Sequence, residues 1–180
     1  MSKYIRSVVI DPSSAHYIGN KLFDLSDARL NRDDTLLPFY RAQVAMREKN
    51  VSVNTVDFLL SNEIKAKQSE YFSLGMLDNF LALESKGNVL FKGFVLMEPP
   101  VVDPFLYQSL PSLTERFECV FVHNVIGDGY SLDGVDLSKL KQFYWPQPLV
   151  GVREEYWVKH DRKNKIVVIN GHHNAYSGAN

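Results

Sequence analysis

The feature that most constrains the fold is the stretch of residues 91–124, which has the pattern strand, loop, helix, strand. Residues 91–97 form an almost uninterrupted apolar run, which is typical of a strand buried on both faces. Pro99 and Pro100 follow, and proline cannot donate to a strand ladder, so the strand must end before them. Residues 119–122 form the next short strand. A unit of this kind predicts a right-handed crossover between two parallel strands.

The segment between these two strands has the signals of a helix. Asp103 is a good N-cap, and Pro104 suits the first helical position. Apolar side chains then recur at helical spacing, at Phe105, Tyr107, Leu110, Leu113 and Phe117. Pro111 lies inside this stripe, which predicts a kink or a division into two short helices.

The first 124 residues repeat the alternation of apolar run and amphipathic segment. Further strands are predicted at residues 4–10, 51–56 and 71–74, and helices from Asp34 or Thr35 to about residue 49 and from residue 77 to Gly87. Such an alternation is typical of α/β domains. We therefore expect a Rossmann-like fold, with an open parallel sheet and helices on both of its faces.

The sequence changes character after residue 124. Residues 125–140 are rich in glycine and aspartate and predict an irregular excursion, and residues 141–145 predict a short extended segment. Residues 151–163 are strongly charged, and residues 165–170 have the pattern of a buried strand. No covering helix follows that strand up to residue 180. We therefore expect an N-terminal domain over residues 1–162 and the start of a second domain over residues 163–180.

Composition excludes several classes of function and location. The formal net charge is -1 and no long basic run occurs, which argues against a nucleic-acid partner. Cys119 is the one cysteine, so an intramolecular disulfide is impossible and a reducing compartment is expected. The N-terminus lacks the apolar core of a secretion signal. Together these features predict a cytoplasmic location.

Candidate site residues follow from the expected topology. Ligands of open parallel sheets bind beyond the carboxyl ends of the strands, and Glu98, His123 and Asn124 all directly follow predicted strands. A carboxylate there can act as a general base; the alternative is an exposed or helix-capping glutamate.

The long segment after the first strand is the second source of candidates. Loops of this length in compact domains are often functional. His16, Asn31 and Arg32 lie in it and can face a ligand. The alternative for Asn31 and Arg32 is a local structural role ahead of the helix.

The histidines give no metal motif. None of the five forms the helix-borne HExxH pair of zinc sites, and no metal is expected. The spacing around Gly127 and Gly129 lacks the lysine of a phosphate-binding loop. A metal-dependent hydrolase that uses the histidines remains an alternative, which metal analysis of the purified protein tests.

Three segments taken together resemble the α1,3-fucosyltransferase-like glycosyltransferases. They are LMEPPVVDPFLYQSLPSLTERFECVFVHN, KQFYWPQP and KNKIVVINGHHN. Those enzymes have two Rossmann-like domains that face each other across a cleft, the GT-B arrangement. By this resemblance the chain is the front, acceptor-side half of an inverting, metal-independent transferase, and Glu98 is its catalytic base.

The resemblance also implies the partners. The donor would be a nucleotide sugar such as GDP-fucose, used as a substrate with no further cofactor, and the acceptor a glycan or glycolipid. It leaves open a peripheral contact with the inner membrane through a region beyond residue 180. The alternative from another class is a stand-alone, non-catalytic α/β module that binds a sugar or a protein.

Overall fold

The computed structural model describes residues 6–64, 66–75 and 77–144, and their centre is a six-stranded sheet. Every neighbouring pair of strands is parallel, in the order β2-β1-β3-β4-β5-β6. The strands are β1 (Arg6–Asp11), β2 (Val51–Thr55), β3 (Ser69–Ser73), β4 (Val89–Val95), β5 (Cys119–Val122) and β6 (Leu140–Gln142). This open parallel sheet confirms the predicted α/β, Rossmann-like fold.

Helices connect most of the strands. They are α1 (Leu37–Glu48), α2 (Asp57–Leu60), α3 (Leu77–Leu83), α4 (Pro104–Gln108) and α5 (Leu110–Arg116). Three further 3₁₀ turns lie between β1 and α1, at Ala15–Tyr17, Lys21–Phe23 and Arg32–Asp34. The connection from β5 to β6, by contrast, consists of turns and bends, as predicted for residues 125–140.

The sheet is covered on both faces. Successive strand residues point to opposite sides, so neighbouring residues of β1 pack in different cores. Val9 and Tyr71 pack in a core with apolar side chains of α2, α3, α4 and α5. Val8 and Val53 pack on the other side, with Leu36 at the start of α1 and with side chains of the β1–α1 connection. The predicted two-sided layering is therefore confirmed.

The β4–β5 crossover follows the sequence signals closely. The Asp103 carboxylate accepts a hydrogen bond from the Leu106 N–H at 3.1 Å, and Pro104 begins α4. The predicted helix is divided in two, since α4 ends at Gln108 and α5 carries Pro111 in its first turn. That position tolerates proline because its N–H would have no helical partner.

The predicted start of α1 is wrong. Neither Asp34 nor Thr35 caps the helix. It begins at Leu37, and its N-cap position is taken by Leu36, which makes no side-chain capping bond. Asn31 instead accepts a hydrogen bond from the Leu36 N–H at 3.1 Å. Asp34 has a φ of 57°, which is left-handed and incompatible with the extended backbone of an N-cap.

The remaining differences concern the ends of elements. The strand predicted over residues 4–10 ends one residue later, at Asp11, and residues 4 and 5 lie outside the described part of the chain. In place of the extended segment predicted over residues 141–145, the short edge strand β6 ends at Gln142. Residues 145–180 lie outside the described part of the chain. The predicted strand at residues 165–170 and the domain boundary at residue 163 are therefore outside it too.

Candidate functional site

A pocket of about 420 Å³ lies where the carboxyl ends of the inner strands meet the β1–α1 connection. Ser13 follows β1, Leu74 follows β3 and Met97 follows β4, and all three line it. The chain leaves β1 toward β2 on one side and returns to β3 on the other, which makes this edge the topological switch point of the sheet. We call this space the switch-point pocket.

The lining of the switch-point pocket has an apolar part and a polar part. The apolar residues are Leu22, Leu30, Leu36, Phe39, Leu74 and Met97. The polar ones are Ser13, Tyr17, Arg29, Arg32 and Thr35. An apolar surface with a few convergent polar groups is the usual make-up of a small-molecule site.

The β1–α1 connection is fixed to the sheet rather than loose on the surface. Leu22 and Phe23 are buried in the core. Asn20 adopts the left-handed conformation, and its side-chain oxygen accepts a hydrogen bond from the Thr55 N–H at 2.9 Å, while its own N–H donates to the Thr55 hydroxyl at 2.9 Å. Since these contacts hold the connection at the end of β2, the pocket wall is preformed.

Glu98 is exposed and lies beyond the end of β4, an inner strand of the sheet. Its backbone is held from two sides. The buried Tyr107 hydroxyl donates to the Glu98 carbonyl oxygen at 3.1 Å, and His123 Nε2 lies 3.0 Å from the Met97 carbonyl oxygen. Glu98 is not among the residues that line the switch-point pocket, but its neighbour Met97 is.

His123 and Asn124 lie at this edge, and their contacts are structural. A carbonyl oxygen only accepts hydrogen bonds, so His123 Nε2 carries the proton and donates to Met97. The Asn124 side chain accepts from the Asp128 N–H at 3.0 Å and donates to the Asp128 carbonyl oxygen at 3.1 Å. The geometry therefore makes His123 a support for the β4 end and Asn124 the brace of the β5–β6 connection.

The three candidates from the β1–α1 connection are placed differently. His16 is exposed on the first 3₁₀ turn and does not line the switch-point pocket, whereas its neighbour Tyr17 does. Asn31 uses its side chain within the connection, toward Leu36 and the Leu25 carbonyl oxygen. Arg32 is exposed and lines the pocket.

A second pocket of about 340 Å³ lies between α4, α5 and the β5–β6 connection. Tyr107 and Tyr130 line it, with ring centroids 4.7 Å apart. Both hydroxyls donate to backbone oxygens, Tyr107 to Glu98 and Tyr130 to Asn124. Burial raises the pKa of Tyr107 to about 12, so this hydroxyl stays a donor across the physiological range.

Asp11, at the carboxyl end of β1, is the described residue whose pKa is shifted furthest toward neutral pH. Its carboxylate is buried and accepts hydrogen bonds from the Tyr71 hydroxyl and, at 2.8 Å, from Asn79 Nδ2. Burial raises the pKa of Asp11 to about 6, although both hydrogen bonds oppose the rise. Burial and the neighbouring Asp11 also raise the pKa of Tyr71.

Sequence reasoning missed Arg29, Tyr17 and Asp11. Arg29 and Tyr17 carry no motif, and the only signal was the length of the connection that contains them. Asp11 lies between the apolar run of the first strand and Pro12. A charged residue that directly continues an apolar run at the end of a central strand is the signal that could have identified it.

The described part of the chain holds no group of three or more potential metal-ligating side chains. Of the five histidines, His160, His172 and His173 lie outside it. Among the described helices, none is both long and apolar enough to cross a membrane. No protein-family model, curated protein or solved structure matches the chain.

Proposed function

We propose that this chain is the acceptor-side domain of an inverting, metal-independent glycosyltransferase, with Glu98 as the general base. The observation that carries the proposal is the placement of Glu98. Its carboxylate is exposed beyond an inner parallel strand, directly after a residue that lines the switch-point pocket. Ligands of this fold class bind at that edge.

The backbone contacts of Glu98 support the role. Tyr107 and His123 hold the two successive carbonyl groups of Glu98 and Met97. A base must lie within hydrogen-bond reach of the proton that it removes, and a fixed backbone lowers the cost of keeping the carboxylate there. In the proposed reaction, Glu98 takes the proton of an acceptor hydroxyl. The hydroxyl oxygen then forms the new bond to the anomeric carbon, and the nucleotide diphosphate leaves with the electrons of the broken bond.

The donor is part of the same proposal and rests on the resemblance. It would be a nucleotide sugar such as GDP-fucose, bound by a second domain that starts near residue 163, and the acceptor would be a glycan or glycolipid.

Glu98→Gln in the full-length protein tests the role of the base. Glutamine keeps the size and hydrogen bonding of glutamate but cannot accept the proton, so turnover should fall about 10²–10⁴-fold. The affinity for the nucleotide sugar should stay at the wild-type value. Glu115→Gln, an exposed glutamate on α5, is the matched control. Turnover of Glu98→Gln within a few-fold of wild type would exclude Glu98 from the mechanism.

A second candidate is a non-catalytic sugar-binding module. It is favoured by one observation: every described residue that lines the switch-point pocket comes from the first 97 positions. A sugar in that pocket would therefore be held by this one domain. The Glu98→Gln experiment separates the two functions. A binding module has no turnover to lose and binds its sugar equally well with glutamine at this position.

A further inference from the structure

The switch-point pocket has cationic side chains in its lining. Two arginines, Arg29 and Arg32, line it, and none of the described lining residues is acidic. Each arginine has one aspartate beside it that does not line the pocket, Asp27 beside Arg29 and Asp33 beside Arg32. We propose that the switch-point pocket binds an anionic acceptor, a sugar or glycan that carries a carboxylate or a phosphate group, with Arg29 and Arg32 contacting the anion. The inference rests on the acceptor role proposed above.

The backbone around the two arginines is set by local hydrogen bonds. The Asp27 carboxylate accepts from the Arg29 N–H at 3.0 Å, and this bond contributes most to lowering the pKa of Asp27. Asn31, directly before Arg32, is held by Leu36 and Leu25. Both arginines are therefore presented from fixed turns, with only their side chains free to adjust.

The arginine side chains can exchange their present partners for a ligand. Arg29 Nε lies 3.6 Å from Asp27 and Arg32 Nε lies 3.6 Å from Asp33, and the two arginine side chains are 92% and 86% exposed. Exposed ion pairs of this length contribute little. A carboxylate or phosphate, by contrast, can accept two parallel hydrogen bonds from a guanidinium group, which is the geometry that arginine favours.

The rest of the pocket suits a sugar ring. Leu30, Phe39 and Met97, which are only partly buried, offer an apolar surface for the ring face. The hydroxyls of Ser13 and Tyr17 make no hydrogen bond to another described residue, so they can serve ligand hydroxyls. The volume of about 420 Å³ is within the range of small-molecule sites.

The lining argues for an acidic sugar rather than a nucleotide diphosphate. Diphosphate sites in α/β folds use a glycine-rich turn after the first strand, which lets backbone N–H groups approach the phosphates. Here β1 is followed by Pro12, Ser13 and Ser14, and no glycine lines the pocket. Two exposed arginine side chains, without such a turn, suit an anionic group on an acceptor.

Calorimetric titration of the 180-residue chain with glucuronate, glucose 6-phosphate and glucose tests the inference. We expect at least one anionic sugar to bind about tenfold or more tightly than glucose, and added salt to weaken that preference because the arginines are exposed. Amide NMR shifts at Ser13, Tyr17 and Thr35 should follow the titration. The two anionic sugars distinguish a carboxylate ligand from a phosphate ligand.

The double variant Arg29→Gln/Arg32→Gln should lose the preference for the anionic sugar, while Arg47→Gln should keep it. Arg47 is an exposed arginine in the last turn of α1 and does not line the pocket. Three results would overturn the inference. They are equal binding of glucose and the anionic sugars, no binding of either anionic sugar, and a preference that survives the double variant. Tighter binding of GDP than of both anionic sugars, lost in the double variant, would overturn it too, by making this the donor site.

Failure of this inference and failure of the proposed function give different results. The binding preference is measured without a donor and without turnover, and its double variant changes Arg29 and Arg32 only. Wild-type turnover of Glu98→Gln would therefore refute the proposed base and leave the binding preference standing. Loss of the binding preference would refute the anionic acceptor and leave the turnover result standing.

Discussion

Asp11 makes the stability of this protein depend on pH in a direction opposite to that of most aspartates. The carboxylate is fully buried between β1, β3 and α3, with Tyr71 and Asn79 as its partners. Burial raises its pKa from 3.8 to about 6, so the folded protein binds a proton there that the unfolded chain has already lost. Protonation of Asp11 therefore stabilises the fold.

The magnitude follows from the shift. A rise of about 2 pKa units corresponds to about 3 kcal/mol, at about 1.4 kcal/mol per unit. The stabilisation is fully present below about pH 4, is lost as the pH rises toward 6, and stays lost above that because Asp11 is then ionised in both states. Asp11→Asn removes the titration: Asn Oδ1 can accept from Asn79, and its amide can donate to the Tyr71 hydroxyl.

Urea unfolding of both proteins between pH 4 and pH 8 measures the effect. The stability of Asp11→Asn relative to wild type should increase by about 3 kcal/mol from pH 4 to pH 7.5, whatever constant offset the amide introduces. Asp133→Asn, an exposed aspartate of the β5–β6 connection, should parallel the wild-type curve. A difference between Asp11→Asn and wild type that does not change with pH would refute the assignment.

Two further predictions concern packing and positioning. Tyr107→Phe removes the hydrogen bond to the Glu98 carbonyl but keeps the ring. We expect a loss of about 1 kcal/mol in urea unfolding. In the proposed transferase, kcat should fall roughly tenfold at unchanged KM, since small misplacements of the proposed base would be costly; unchanged kcat would show that the contact is only structural. Gly93→Ala should lower the free energy of unfolding by about 1–3 kcal/mol in the same measurement, because the added Cβ would lie 2.9 Å from the Phe72 ring. Gly87→Ala is the control and should change stability little, since the space around Gly87 is open. Equal effects of the two substitutions would contradict this packing.

Much of the fold could be predicted because its signals are local. The apolar run that becomes β4 is followed by two prolines, and Asp103, Pro104 and Pro111 fix where α4 and α5 begin. A parallel sheet with helices on both faces then follows from handedness and from the alternation of strand side chains. The start of α1 was missed because its first free N–H is satisfied from Asn31, five residues earlier, rather than by the residues next to the helix.

The candidate site could likewise be predicted only in part. Glu98, His123 and Asn124 directly follow predicted strands, and this position alone predicts that they lie at the carboxyl edge of the sheet. That His123 and Asn124 use their polar atoms on the backbone is visible only once the chain is folded.

Tertiary structure also decided which residues of the β1–α1 connection form the pocket. Arg29 and Arg32 line it, whereas His16 does not and Asn20 is bound to the end of β2. It likewise buried Asp11 beside Tyr71, sixty positions away in the chain. Whether a polar side chain binds a ligand or the protein itself depends on partners that are distant in sequence, and those partners are fixed only when the loops pack against the sheet.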